Sequence, residues 1–256
     1  MSKRPRFDRS TGGFSLVELL VVVAIVVILL ALLLPSVSRM KQKAQTTTCL
    51  SNLRQIMAAT TAYSTDNDGH YPDCWGWVKS NRTKIGGHWV EWAEPDTIPD
   101  GSLFSYMGKD EAAYLCPTFK KAALLNPAFS HLTPRVGYAM NEYLYSWSSY
   151  KKWQGKSKMF RSQVERPAEL GVFADEGTIA IPGLNRAVIN NLCLGVGAYN
   201  NSGSHVDGIG TFHNTYRTGI QDGVGNVAFG DGHVATVDPH QCKEIFTPHR
   251  IKNGTW

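Results

Sequence analysis

The sequence is most informative first in what it lacks. Its five cysteines, Cys49, Cys74, Cys116, Cys193 and Cys242, form no C-x-x-C pair, which argues against a zinc ribbon or a thioredoxin-type redox site. There is no H-E-x-x-H, no nucleophile elbow, no phosphate loop and no G-x-G-x-x-G, so the common catalytic and nucleotide-binding signatures are missing. No internal repeat is present. Charge is sparse at 18% beside 43% hydrophobic residues, a balance that suits a folded chain and not a disordered one. The net charge of +5 is also partly local. Lys3, Arg4, Arg6 and Arg9 face only Asp8 in the first thirteen residues, and the rest carries 22 basic to 20 acidic residues. Such a balance gives no reason to expect a nucleic-acid partner.

No charged residue occurs between Glu18 and Arg39, and Leu19–Leu34 is sixteen apolar residues without a break. The segment 14–34, FSLVELLVVVAIVVILLALLL, spans roughly 30 Å as a helix, one hydrocarbon core. Three readings fit a basic leader followed by such a run. A cleaved secretory signal has a shorter apolar region and a small-residue cleavage site, whereas this one ends in Leu-Leu-Leu-Pro-Ser. A plain anchor fits the length but leaves Glu18 without a purpose, although a charge in a membrane helix is costly.

The third reading accounts for both features. Gly12-Gly13-Phe14-Ser15-Leu16-Val17-Glu18-Leu19-Leu20 resembles the leader and cleavage site of type IV prepilins. The resemblance implies cleavage by a prepilin peptidase between Gly13 and Phe14, N-methylation of Phe14, and a role in filament assembly for Glu18, the fifth residue of the mature chain. Pro35 falls where the family often has a helix-kinking proline. Residues 1–13 would remain in the cytoplasm, as their positive charge requires.

Helical periodicity persists beyond the apolar run. Leu50, Leu53, Ile56, Met57, Thr60 and Tyr63 follow three-four spacing and form an apolar stripe for a globular domain, with Asn52, Arg54 and Gln55 on other faces. Asp66-Asn67-Asp68-Gly69 is a stop and turn signal. The expected division is a leader 1–13, a helix 14–65 (transmembrane 14–34, amphipathic 36–65) and a head 66–256. The stretch Ala62–Pro72 is similar to the start of the head in major pseudopilins of type II secretion.

In the head, Glu111–Cys116 reads as a short helix ending before Pro117. Val136–Asn141 and Leu170–Asp175 read as strands. Asn226–Val237 reads as a β-hairpin, two apolar runs around an Asp-Gly turn. The fold class expected is α+β, a long N-terminal helix packed on an antiparallel sheet, the pilin fold. Phe229-Gly230-Asp231-Gly232-His233-Val234, with Tyr138–Asn141 and Leu115-Cys116-Pro117, also resembles bacterial prepilin-like heads with a C-terminal H-x9-DG motif. Here the residue ten before Asp231 is Gln221, and the nearest upstream histidine is His213. Either a loop insertion over Thr215–Gly225 displaces that histidine or its role is absent.

Histidines and acids gather near the C-terminus, among them His205, Asp207, Asp222, His240 and His249. His213, Asp231 and His233 are the candidate metal ligands, since imidazole with carboxylate suits a transition metal. Asp66, Asp68 and Gly69 resemble part of a calcium loop without its closing glutamate; a helix-stopping turn explains them. No cofactor is expected beyond a structural Ca²⁺ or other divalent ion, and no catalysis. Export of the head would allow one or two disulfides, with the pairing open. The resemblance implies a subunit of a type II secretion or type IV pilus-like filament in the bacterial inner membrane, its head exported. Its partners would be itself, other pseudopilins, the prepilin peptidase and the assembly platform. Two other readings remain: a glycan-binding module using the tryptophans of Cys74–Trp92, and a tethered metal-dependent hydrolase using the C-terminal histidines.

Overall fold

The computed structural model describes residues 15–74, 76–79, 81–85, 88–92, 98–124, 135–144, 160–178, 193–194, 207–213 and 223–246. The chain divides into two compact units, Met1–Lys41 and Gln42–Trp256. Helix α1, Leu16–Asp66, contributes to both and contains Pro35.

In the first unit every described side chain is exposed. Leu16, Leu32 and Leu34 are 79%, 70% and 69% exposed, and the valines and isoleucines between them about half. A helix that is apolar all round is stable only inside something apolar. This is one helix long and apolar enough to cross a membrane.

The second unit is an α+β head. One face of α1 packs into it through Leu53, Ile56, Met57, Ala59 and Tyr63. The helix ends at Asp66 because Asp68 and Gly69 take positive φ, 54° and 81°, and the Gly69 N–H returns to the Ser64 carbonyl at 2.7 Å. Glycine adopts that conformation without steric penalty. The aspartates here stop the helix; the Asp66 carboxylate accepts from the Tyr106 hydroxyl at 3.1 Å.

The sheet runs β5-β3-β4-β7-β8, with β6 also pairing β4. The strands are β3 (Tyr138–Asn141), β4 (Gly171–Thr178), β5 (Cys193–Leu194), β6 (Asp207–Ile209), β7 (Gly225–Phe229) and β8 (Val234–Val237). β3, β4, β7 and β8 are mutually antiparallel neighbours. The edge strand β5 departs from the expected pattern and runs parallel to β3. Strand alternation divides the interior. Tyr138, Met140 and Phe173 join the large cluster that includes the helix. Ala139, Ala174, Val227 and Phe229 face a smaller cluster with Ile245 and Phe246, the latter two from helix α3, Cys242–Phe246. A register shift between Gly171 and Phe173 lets Val172 and Phe173 both join the larger cluster, as a bulge does.

Two other elements differ from expectation. Glu111–Tyr114 is a 3-10 turn capped by Asp110, whose side chain accepts from the Ala112 N–H. Pro117 then opens helix α2, Pro117–Leu124, where its missing N–H costs nothing. The tryptophan-rich stretch contains a β1–β2 ladder, Asn81–Ile85 with His88–Trp92. Trp77 is fully buried, stacked on Tyr114 at 5.8 Å and edge-on to Phe173 at 5.1 Å, so it is a core residue. Trp75 lies outside the described residues.

Candidate functional site

The membrane-type helix begins with a reciprocal cap. The Ser15 N–H donates to Glu18 Oε2 at 2.8 Å, and the Glu18 N–H donates to Ser15 Oγ at 3.2 Å. This Ser-x-x-Glu capping box satisfies two of the donors that a helix start leaves unpaired. The pattern is legible in the sequence as Ser15-x-x-Glu18. Gly13 and Phe14, with the leader before them, lie outside the described residues, as do His205, Gln221, Asp222 and His249.

The three candidate metal ligands separate. Asp231 and His233 sit at the exposed turn of the β7–β8 hairpin and satisfy each other. Asp231 Oδ1 accepts from the His233 N–H at 3.0 Å and meets His233 Nδ1 at 2.6 Å. The His233 ring stacks on Phe229 at 4.3 Å. Burial at the turn pushes the Asp231 carboxyl up, but the hydrogen bonds and charge of His233 outweigh it and hold the carboxyl below its ordinary range. Gly232, at φ 98°, completes the turn.

His213 is instead fully buried. Its backbone forms a bridge with Val224, N–H to carbonyl in both directions at 3.1 and 2.9 Å. The bridge sets His213 beside Val224, one residue before β7. Its companions are not hairpin residues. Nε2 lies 3.0 Å from Asp175 Oδ2 and 3.5 Å from Cys116 Sγ, and Nδ1 lies 3.3 Å from Thr46 Oγ1. Cys116 forms a disulfide with Cys49, 67 residues away. Cys74 is also disulfide-bonded.

The members of this buried group come from several parts of the chain. Thr46 and Cys49 lie one turn apart on α1, Cys116 precedes α2, and Asp175 lies on β4, where alternation points it to the helix side. Asp175 Oδ2 also accepts from the Asn226 N–H at 2.8 Å. Above the group, Tyr138 reaches the Cys49 carbonyl at 3.4 Å. Burial, reinforced by the charge of Asp175 and opposed by a hydrogen bond with Asn52, raises the Tyr138 hydroxyl well above its ordinary range. Asn52 itself corrects the sequence reading: it is 6% exposed and faces the head. Its amide donates to the Leu115 carbonyl at 3.2 Å, which makes burial of a polar side chain tolerable.

Residues 8–34 match the prokaryotic N-terminal methylation motif. Over 74 residues the chain is 35% identical to the ComG operon protein 3 homolog of Bacillus licheniformis, an alignment covering 27% of this chain and 76% of that protein. No solved structure matches. The methylation motif falls on the apolar, acid-fronted helix, and the α+β head that follows agrees with it. The chain belongs to the type IV pilin-like and pseudopilin family, as a structural subunit anchored in the membrane by a single span.

Proposed function

We propose that the chain is made as a prepilin, cut between Gly13 and Phe14 by a prepilin peptidase, N-methylated on Phe14, and built into a type II secretion or type IV pilus-like filament. The observation that carries this is the first half of α1: exposed, apolar on every side, and bearing a single carboxylate, Glu18. Lipid covers such a surface before assembly and neighbouring helices cover it afterwards. Cleavage would create an ammonium at Phe14, one helical turn from Glu18. Either charge is costly in a helical bundle unless paired. An incoming amine meeting the Glu18 carboxylate of a neighbour would fix the register of assembly, as single buried polar groups do in helix bundles.

The basic leader keeps the N-terminus cytoplasmic, with the head exported across a bacterial inner membrane. Copies of itself, related pseudopilins, the peptidase and the assembly platform are the partners on this reading. The deciding measurement is the N-terminal mass of protein extracted from membranes of its own host. A chain beginning at methylated Phe14 is the expected result, and an intact Met1 start overturns the reading. Glu18→Gln then separates the two jobs of the side chain. Its amide oxygen still caps Ser15, but its charge is gone, so membrane insertion should persist while cross-linking into filaments is lost. Normal assembly of Glu18→Gln would leave Glu18 with the cap alone.

A further inference from the structure

Cys49, Cys116, Asp175 and His213 have no part in the proposed assembly, yet their ligand atoms lie within 4.8 Å of one another and all four residues are buried. His213 constrains what the site can hold. The Thr46 hydroxyl has one hydrogen, donated to the Gln42 carbonyl at 3.1 Å. Toward Nδ1 it can therefore only accept, so Nδ1 carries a proton. In the neutral ring Nε2 is then a bare lone pair, facing the Asp175 carboxylate oxygen at 3.0 Å. Two acceptors at that distance repel unless a positive centre lies between them. A second ring proton is one such centre, but it engages neither sulfur. A metal cation satisfies the histidine and the carboxylate together and also takes both sulfurs.

We propose that, when Cys49 and Cys116 are thiols and not a disulfide, this group is a structural zinc site. The ligands are the two thiolates, one Asp175 oxygen and His213 Nε2, and the two thiols release two protons as the ion binds. Thr46 is the orienting partner that accepts from Nδ1, the usual arrangement behind a metal-bound histidine. Two sulfurs, one nitrogen and one oxygen select zinc over calcium or magnesium, which take oxygen ligands. Four protein ligands with no open position make the site structural and not catalytic. Zn–S bonds of ~2.3 Å at a tetrahedral angle require the sulfurs roughly 3.8 Å apart, a small opening within one cluster. Zinc and the disulfide are thus alternative cross-links between α1 and the segment before α2. Zinc additionally ties in β4 and the residue bridged to the hairpin.

The test uses the full-length chain in detergent, reduced with tris(2-carboxyethyl)phosphine without oxygen and titrated with Co²⁺. The expected result is one equivalent bound, with a thiolate-to-cobalt charge-transfer band and the intense d–d bands of a tetrahedral site, bleached by one equivalent of Zn²⁺. Thr46→Val keeps the shape of the side chain and the spectrum and weakens Co²⁺ binding ~10–100-fold. His213→Ala abolishes the tetrahedral spectrum. The proposal fails if the reduced chain gives no such spectrum, stays unfolded with Co²⁺ present, or gives a spectrum that His213→Ala leaves intact.

Discussion

Leu53→Ala tests whether α1 is part of the head's core or merely lies beside it. Leu53 is fully buried in the large cluster, with Ile56 and Met57 on the next turn. Truncation removes three carbons from a fully buried position in the cluster that α1 shares with Tyr138, Met140 and Phe173 of the sheet. Such Leu→Ala changes cost about 2–5 kcal/mol. For a unit of this size each kcal/mol moves the midpoint by about 2–4 °C, so a loss of about 4–20 °C is expected. The assay is thermal unfolding of the full-length chain in detergent, followed by tryptophan fluorescence, since buried Trp77 contacts Tyr114 and Phe173 in the same core. Arg54→Ala, one residue on and exposed, is the control and should stay within about 0.5 kcal/mol of the parent. Equal small shifts for both variants would mean that the helix does not share the core of the head, and the packing argument would fail.

Other perturbations follow from the same contacts. Ser15→Ala breaks the reciprocal cap and should cost the start of α1 about 0.5–2 kcal/mol, seen as faster amide exchange over its first turn. Gly232→Ala probes backbone strain alone, because an added Cβ meets nothing within 4 Å while φ is 98°. A loss on the order of 1–2 kcal/mol in the urea midpoint is expected, and no loss would refute it. Asp231 has its carboxyl pKa lowered in the folded chain. Its stabilisation is therefore full above the unfolded value near ~3.9 and lost as pH falls through the lower folded value. Asp231→Asn should destabilise the head at neutral pH by only a few tenths of a kcal/mol, screened at this exposed turn. The difference from the parent should vanish in acid; a difference that grew as pH fell would reverse the sign of the argument.

The features legible in the sequence were those carried by short-range patterns. Three-four spacing marks Leu50, Leu53, Ile56, Met57, Thr60 and Tyr63; the last five are buried and Leu50 is half-buried. Apolar runs around Asp231-Gly232 mark the hairpin, and Val136–Asn141 and Leu170–Asp175 overlap β3 and β4. The pattern misjudged Asn52 because periodicity counts apolar residues only. A buried amide is explained by its acceptor, the Leu115 carbonyl 63 residues away, which no local window contains. The two-residue β5 and three-residue β6 are too short for alternation to register. Pro117 marked a helix boundary, but its first-turn preference assigns it to the helix that follows.

The buried group was illegible for a related reason. His213, Asp231 and His233 looked like a set because they are close in sequence, yet a hairpin turn holds two of them at the surface while the β-bridge to Val224 holds the third inside. The residues that do meet His213 come from α1, the approach to α2, and β4, all far from it in sequence. Glu18 shows the opposite case, a residue whose local role is readable from Ser15 three positions before it. Its carboxylate is already engaged by the Ser15 N–H, which lowers the cost of carrying a charge at the edge of a membrane before any partner arrives. On the proposed reading, assembly therefore exchanges one partner for another. The free energy that Glu18 contributes to a filament is then the difference between a neighbour's ammonium and its own cap, smaller than the strength of the ion pair alone.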